Sequence, residues 1–460
     1  MSVADPLNQL RAQMRGLREQ QRYLEADLLL AKAVTQFPGD AMLGFFHAQT
    51  RYELGYPAAS LFAAAQALDP GNLAIARNQA LAHISEGEAA DAQALLARLL
   101  RSNPGWLDGH KALATLNWTA GDRHHFADHY APACRAQLQN QDVWIAWFRT
   151  VVQARAWAAA LAILDEAERH FGATPAIVVS RLFVAVESQD EAAAGQLLAQ
   201  TAQIRGDVTS LCRIRHALRC GDPQAAEAEA LPLIATPSGS LYWPYLSLSW
   251  RLGGNERWQW LDRPDDLVRE LDSGMRAAEL AELAELLRGL HTASAPYIEQ
   301  SVRGGTQTDR SVLLRHEAPL QRLKARMVEL IADYVAQLPP PDPQHPLLSA
   351  PRGGSLLIEG SWSVRLERQG FNVPHTHAMG WLSTSFYVSL PTSEAMGAAP
   401  AGHIAFGMPP SELGLNLAPY RTIKPEPGHL AVFPSTMWHS TVPFDDGERL
   451  VVAFDIRRPS

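Results

Sequence analysis

The chain has 460 residues, is 47% hydrophobic and carries a formal net charge of −8, which excludes an intrinsically disordered polypeptide. The acidic balance and the lack of any basic tract argue against nucleic acid or a membrane surface as a partner. Three cysteines (Cys134, Cys212 and Cys220), odd in number and without metal-ligand spacing, fit a reducing, cytoplasmic setting, and no segment has the apolar length of a signal sequence or a membrane span.

Residues 20–255 are rich in alanine and leucine and read as helix after helix. Alanines fall at Ala58, Ala92, Ala160, Ala194 and Ala228, on a beat of 34 whose skipped site is Phe126. Turn residues keep the same beat at Pro70, Pro104, Gly172 and Gly206, with Leu138 at the gap. Two antiparallel helices pack closely only where one side chain is small, and each hairpin buries its open face on the next. The period resembles that of tetratricopeptide repeats. Residues 1–257 are therefore expected to form an all-α helical-repeat domain of the kind that offers a groove to a protein or peptide.

The pattern changes near Trp258–Asp266. A helix is expected in MRAAELAELAELLRGLH, a polar loop in EQSVRGGTQTD, and another helix in APLQRLKARMVELIADYVAQL, which the proline run Pro339–Pro346 ends. From Ser355 the period becomes two: SLLIEGSWSVRLE, WLSTSFYVSLP, GHIAFG, HLAVFP and RLVVAFDI are short strands between Gly, Pro and Asp turns. Many short strands in about one hundred residues predict a sandwich or a jelly-roll barrel.

Within this region His375 and His377 stand two apart, so on a strand both project from one face. Imidazole is the commonest transition-metal ligand at neutral pH. His439 is the candidate third ligand from a distant strand, and Arg449 follows ten residues later, opening the last strand. This order resembles that of a 2-oxoglutarate/Fe(II) oxygenase, in which two histidines and one carboxylate hold the metal. A guanidinium there binds the distal carboxylate of the cosubstrate through two charge-assisted hydrogen bonds. His377 occupies the carboxylate position. Three readings stay open: all three histidines bind iron; His377 stands behind the metal, with water in its place; or the site is inactive.

The segments EQSVRGGTQTD, HPLL, GSWSVRLERQGFNVPHTHAMGWLSTSFYVSLP, HIAFG, PEPGHLAVFPSTMWHSTVPF and ERLVVAFD together resemble the bacterial family of 2-oxoglutarate/Fe(II) oxygenases fused to tetratricopeptide repeats, from Ala295 to the C-terminus. The family pattern keeps an H-x-H pair. The plan is also similar to that of aspartyl/asparaginyl β-hydroxylases, whose PHTG resembles PHTH at Pro374–His377. The resemblance implies an α + β chain in two parts: the helical repeats at 1–257, then a double-stranded β-helix (jelly-roll) oxygenase domain with flanking helices at 258–460, strand core about 355–458. It implies Fe(II) and 2-oxoglutarate as cofactors, O2 as co-reactant, and hydroxylation of a polypeptide recruited by the repeats. His375 and His439, with His377, are the implied metal ligands, and Arg449 the 2-oxoglutarate anchor. Tyr387, Ser383 and Asn372 lie near enough in sequence to bind the cosubstrate. Arg303, Thr306 and Gln307 belong to a loop that could close over the site.

Two other readings of the domain are a three-histidine cupin-like dioxygenase without 2-oxoglutarate and a non-catalytic scaffold. His125 and His129, one helical turn apart if helical, read as a solvated repeat face together with His124. His403 and His429 begin strands and read as structural or exposed. Trp362, Trp381 and Trp438 are candidate cavity walls or core.

Overall fold

The computed structural model describes residues 6–298 and 300–459. Among them no helix is long and apolar enough to cross a membrane. The chain divides into two compact units, Met1–Ala146 with Asp309–Lys324, and Trp147–Thr308 with Ala325–Ser460.

The first unit is built of paired antiparallel helices, beginning with Pro6–Glu19, Tyr23–Gln36, Ala41–Glu53, Ala59–Leu68, Leu73–Ser85, Ala89–Ser102 and Leu107–Thr119. Helix starts follow capping chemistry: the Asp40 carboxylate accepts from the Leu43 amide, and Asn72 from the Ala74 amide. Residues 309–324 belong to this unit, where His316 stacks on Tyr56 and bonds the Leu54 carbonyl. The stretch holding His124, His125 and His129 forms turns rather than the helix considered above. His124 and His125 are exposed, whereas His129 is half-buried and stacks on His110 at 5.2 Å. Burial pushes the His129 imidazole down to about 4.

The second unit continues the repeats with helices Trp157–Phe171, Pro175–Glu187, Glu191–Gln200, Asp207–Arg219, Pro223–Ala230 and Trp243–Leu252. Across both units the alanine beat marks the helix crossings: Ala58, Ala92, Ala160 and Ala194 have no accessible surface. The beat slips at its end, where Ala228 is exposed and Ala226 takes the buried position. A second beat of 34 runs through the turns inside the hairpins, at Gly87, Gly121, Arg155 and Gln189, all with positive φ (83°, 98°, 55° and 64°). A side chain in this left-handed region costs roughly 1–2 kcal/mol, so Arg155 and Gln189 stand where glycine would be easier.

Among the described residues nine strands follow: β1 (Arg269–Asp272), β2 (Val302–Gln307), β3 (Ile358–Asn372), β4 (Leu382–Ser389), β5 (Ile404–Phe406), β6 (Arg421–Ile423), β7 (His429–Pro434), β8 (His439–Thr441) and β9 (Arg449–Ile456). They form a six-stranded antiparallel sheet, ordered β1-β7-β4-β9-β3-β2, and a three-stranded sheet, β6-β5-β8. This is the jelly-roll domain with flanking helices, including Ala277–Leu290. Where EQSVRGGTQTD was expected to be a loop, Val302–Gln307 instead form edge strand β2, paired with β3. Gly305 makes that possible, since a Cβ there would sit 2.2 Å from the Arg365 carbonyl oxygen.

Two polar side chains fix the surroundings of the barrel. His345 is buried; its Nε2 donates to the Leu261 carbonyl, and its Nδ1 accepts from the Leu347 and Leu348 amides. Trp438 packs edge-on against Tyr245 at 5.6 Å and donates to the Pro244 carbonyl, which ties the start of β8 to helix Trp243–Leu252.

Candidate active site

Beyond the end of β3, His375 forms an isolated antiparallel pair with His439 of β8. Each amide donates to the other's carbonyl, at 3.0 and 3.1 Å. Such a pair puts both side chains on one face. The His377 amide donates to the Ser435 carbonyl at 2.9 Å, which holds the third imidazole against the same opening. Ring centroids of His375, His377 and His439 lie 4.2 to 5.1 Å apart, and one ring nitrogen of each lies within 4.8 Å of the others.

The neighbours decide which nitrogen that is. Nδ1 of His375 lies 2.8 Å from the Val373 carbonyl, and Nδ1 of His439 lies 3.1 Å from the Met437 carbonyl. Nδ1 of His377 lies 2.7 Å from Oδ2 of Asp455. Carbonyls and carboxylates only accept, so each Nδ1 carries a hydrogen, and in the neutral ring the lone pair is then on Nε2. Burial, reinforced by the positive charge His377 would carry, pushes His375 down to about 3, and burial with both neighbouring histidines holds His439 well below the usual range. Both rings are neutral at physiological pH, the state in which imidazole binds metal.

Asp455 had no role in the reading of the sequence. Its other oxygen, Oδ1, accepts from Ser383 at 2.7 Å, and Ser383 also meets Ser435 at 2.8 Å. Ser383 therefore stands behind Asp455 and outside the cavity lining. The signal was present in RLVVAFDI: stepping by two from Arg449 through Val451 and Ala453 lands on Asp455.

The cavity, about 40 Å³, is lined by all three histidines, Asn372, Ser385 and Arg449, with apolar walls from Val364, Phe433 and Val451. Asn372 donates to Ser301 and accepts from Thr441. Arg449 is 2% exposed, and among the described residues no carboxylate pairs with it. Neighbouring Glu448 bonds Arg288 and Arg365 instead. The guanidinium sits over the Tyr387 ring, 5.1 Å from its centroid. Its Nε and the Tyr387 hydroxyl are buried without a hydrogen-bond partner. Burial lowers the arginine and raises the tyrosine, each effect opposed by the other group's charge. A buried cation without a counter-charge is costly unless an anion joins it. Of the three tryptophans, Trp362 walls the site, stacked on His377 at 5.3 Å, whereas Trp381 and Trp438 donate to the Leu347 and Pro244 carbonyls. Of the β2 residues, Arg303 and Gln307 line an outer opening on the site, and Thr306 bonds His291.

These features define a jelly-roll domain with a candidate three-imidazole metal centre beside a buried arginine that no carboxylate pairs with among the described residues. Residues 360–455 match the model of the family described as "Putative 2OG-Fe(II) oxygenase". The C-terminal part of the chain is a domain of the 2OG-Fe(II) oxygenase enzyme family, which uses Fe(II) and 2-oxoglutarate. No curated protein matches the chain. Among solved structures, a Pseudomonas putida prolyl-4-hydroxylase is 16% identical, with 42% of this chain and 93% of that one covered and a TM-score of 0.29. A viral collagen prolyl hydroxylase from Paramecium bursaria Chlorella virus-1 is 13% identical, covering 42% and 97%, with a TM-score of 0.28. A tetratricopeptide repeat protein from Parabacteroides merdae is 12% identical, covering 53% and 98%, with a TM-score of 0.34.

Proposed function

We propose that the chain is an Fe(II)- and 2-oxoglutarate-dependent oxygenase that hydroxylates a polypeptide, with residues 1–257 presenting the substrate and residues 258–460 acting on it. The carrying observation is Arg449, a buried cation without a counter-charge, in one cavity with three imidazoles whose Nε2 atoms are kept for a metal. The donor set fits the family's groups. His375, His377 and His439 would hold the metal, and Arg449 would pair with the distal carboxylate of 2-oxoglutarate. Asn372 and the Tyr387 hydroxyl add polar contacts, and Ser383 acts on the site through Asp455. Bound iron and 2-oxoglutarate supply the oxygen activation that hydroxylates a C–H bond. The protein's part is to fix the three rings, neutralise the cosubstrate and keep water out with Val364, Phe433 and Val451.

An anaerobic Fe(II) titration with and without 2-oxoglutarate tests this reading. The visible band of the chelate is expected in wild type and lost in His439→Ala, along with succinate production. Absence of the band in wild type refutes the assignment. The all-imidazole donor set favours, as a second reading, a dioxygenase that works without 2-oxoglutarate. That reading leaves Arg449 unexplained, and it predicts O2 consumption that 2-oxoglutarate does not affect.

A further inference from the structure

The candidate site opens outward through a second cavity, which shares Trp362, His375 and His377 with it. Two cations line this opening, Arg155 and Arg303, and its other polar side chains include Gln153, Gln300 and Gln307. None of the described residues lining it is a carboxylate.

Each arginine is held in place with donors to spare. Arg303 uses Nη1 alone, on the Gln300 and Val302 carbonyls, and its Nε and Nη2 make no hydrogen bond to a described residue. Arg155 is steadied by an ion pair with Glu412. It also occupies the left-handed turn position that glycine fills in the two preceding repeats, Gly87 and Gly121. An unfavourable backbone state kept by a side chain that reaches a cavity points to a use for that side chain. Packing around Arg303 and the like charge of Arg155 both disfavour its protonated form, a penalty that an anion between them would relieve.

We propose that this opening is a carboxylate subsite: the substrate carries a carboxylate that docks on Arg303 and Arg155 while a nearby C–H bond faces the histidines. The subsite is separate from the cosubstrate anchor, because Arg449 lines only the inner cavity. The inference rests on the oxygenase reading and narrows it to acidic substrates. The carboxylate comes either from an acidic side chain of a polypeptide or from a free small acid.

The test uses the full chain with Fe(II) and 2-oxoglutarate under anaerobic conditions, exposed to a degenerate peptide library with acetylated and amidated ends. Bound peptides are expected to be enriched about tenfold in Asp or Glu over Asn or Gln at one position. Arg303→Gln is expected to abolish that enrichment and leave the 2-oxoglutarate chelate band unchanged. Binding of N-acetylaspartate or N-acetylglutamate, measured directly and as competition, reports whether a small acid suffices, and binding lost in Arg303→Gln supports the subsite equally. A chelate band with neither enrichment nor acid binding overturns the subsite alone, as does enrichment that survives in Arg303→Gln. Absence of the band overturns the oxygenase reading itself.

Discussion

His377 donates from Nδ1 to Oδ2 of Asp455 across 2.7 Å, so the carboxylate missing from the H-x-H pair stands one ring behind it. Ser383 holds the opposite oxygen of that carboxylate. A carboxylate behind a metal-binding imidazole fixes its orientation and raises its basicity.

Asp455→Asn should therefore weaken Fe(II) binding by about 10- to 100-fold without unfolding the protein. Ser383→Ala should act in the same direction and less strongly. Anaerobic Fe(II) titration followed by circular dichroism separates the two effects. Unchanged affinity in Asp455→Asn would mean that His377 takes no part in binding metal.

Arg449→Met removes a buried charge that no carboxylate pairs with among the described residues. Replacing such a charge with an apolar side chain of similar length should stabilise the ligand-free protein by about 1–3 kcal/mol. Wild type should gain about 2.7 kcal/mol at a hundredfold excess of 2-oxoglutarate over its Kd, and the variant nothing. Thermal melts with and without the cosubstrate read both signs at once.

His345 makes stability depend on pH through a simple geometric conflict. Its Nδ1 accepts two amide hydrogens, so the ring cannot be protonated without breaking both bonds. Burial accordingly pushes it from 6.5 down to about 4. The unfolded chain takes up the proton first, so this contribution, about 3 kcal/mol, is complete above pH 6.5 and is lost as pH falls toward 4. Denaturant melts across that window should show His345→Gln with a slope flatter by about 1.4 kcal/mol per pH unit. An equal slope would contradict the hydrogen-bond assignment.

The helix crossings give a paired comparison. Ala194 is fully buried, whereas Ala228 is exposed although it falls on the same sequence beat. Ala194→Leu should destabilise by about 1–3 kcal/mol through overpacking, and Ala228→Leu should be close to neutral. Chemical denaturation of the two variants checks the register directly.

What the sequence made legible follows from these contrasts. The solenoid and strands β3, β4, β7 and β9 could be read because burial imposes periods of 34 and two over many residues, and β5, only three residues long, was marked by the glycines that flank it in GHIAFG. Strands β1, β6 and β8 are three or four residues long, too short to show a period, and β2 was hidden by glycines that look like a turn. His375, His377, His439 and Arg449 were legible as residue types in a familiar order. Asp455 was passed over: period two puts it on the face of Arg449, but its role shows only when its partner 78 positions away is placed beside it. The outer opening was illegible for the same reason: Arg155 and Arg303 belong to segments that only the folded chain brings together.

The left-handed turns carry a lesson for anyone who would improve this solenoid by averaging its repeats. Averaging writes glycine at 155 and 189, and each exchange relieves a backbone penalty of about 1 kcal/mol. The same exchanges delete Arg155 from the opening and release the carbonyl of Glu412 that Gln189 holds at 3.2 Å. A consensus version would thus gain backbone stability and lose the polar groups these two turns supply. The two turns that depart from glycine are the ones whose side chains reach the opening and Glu412, so the departure marks specialisation rather than decay.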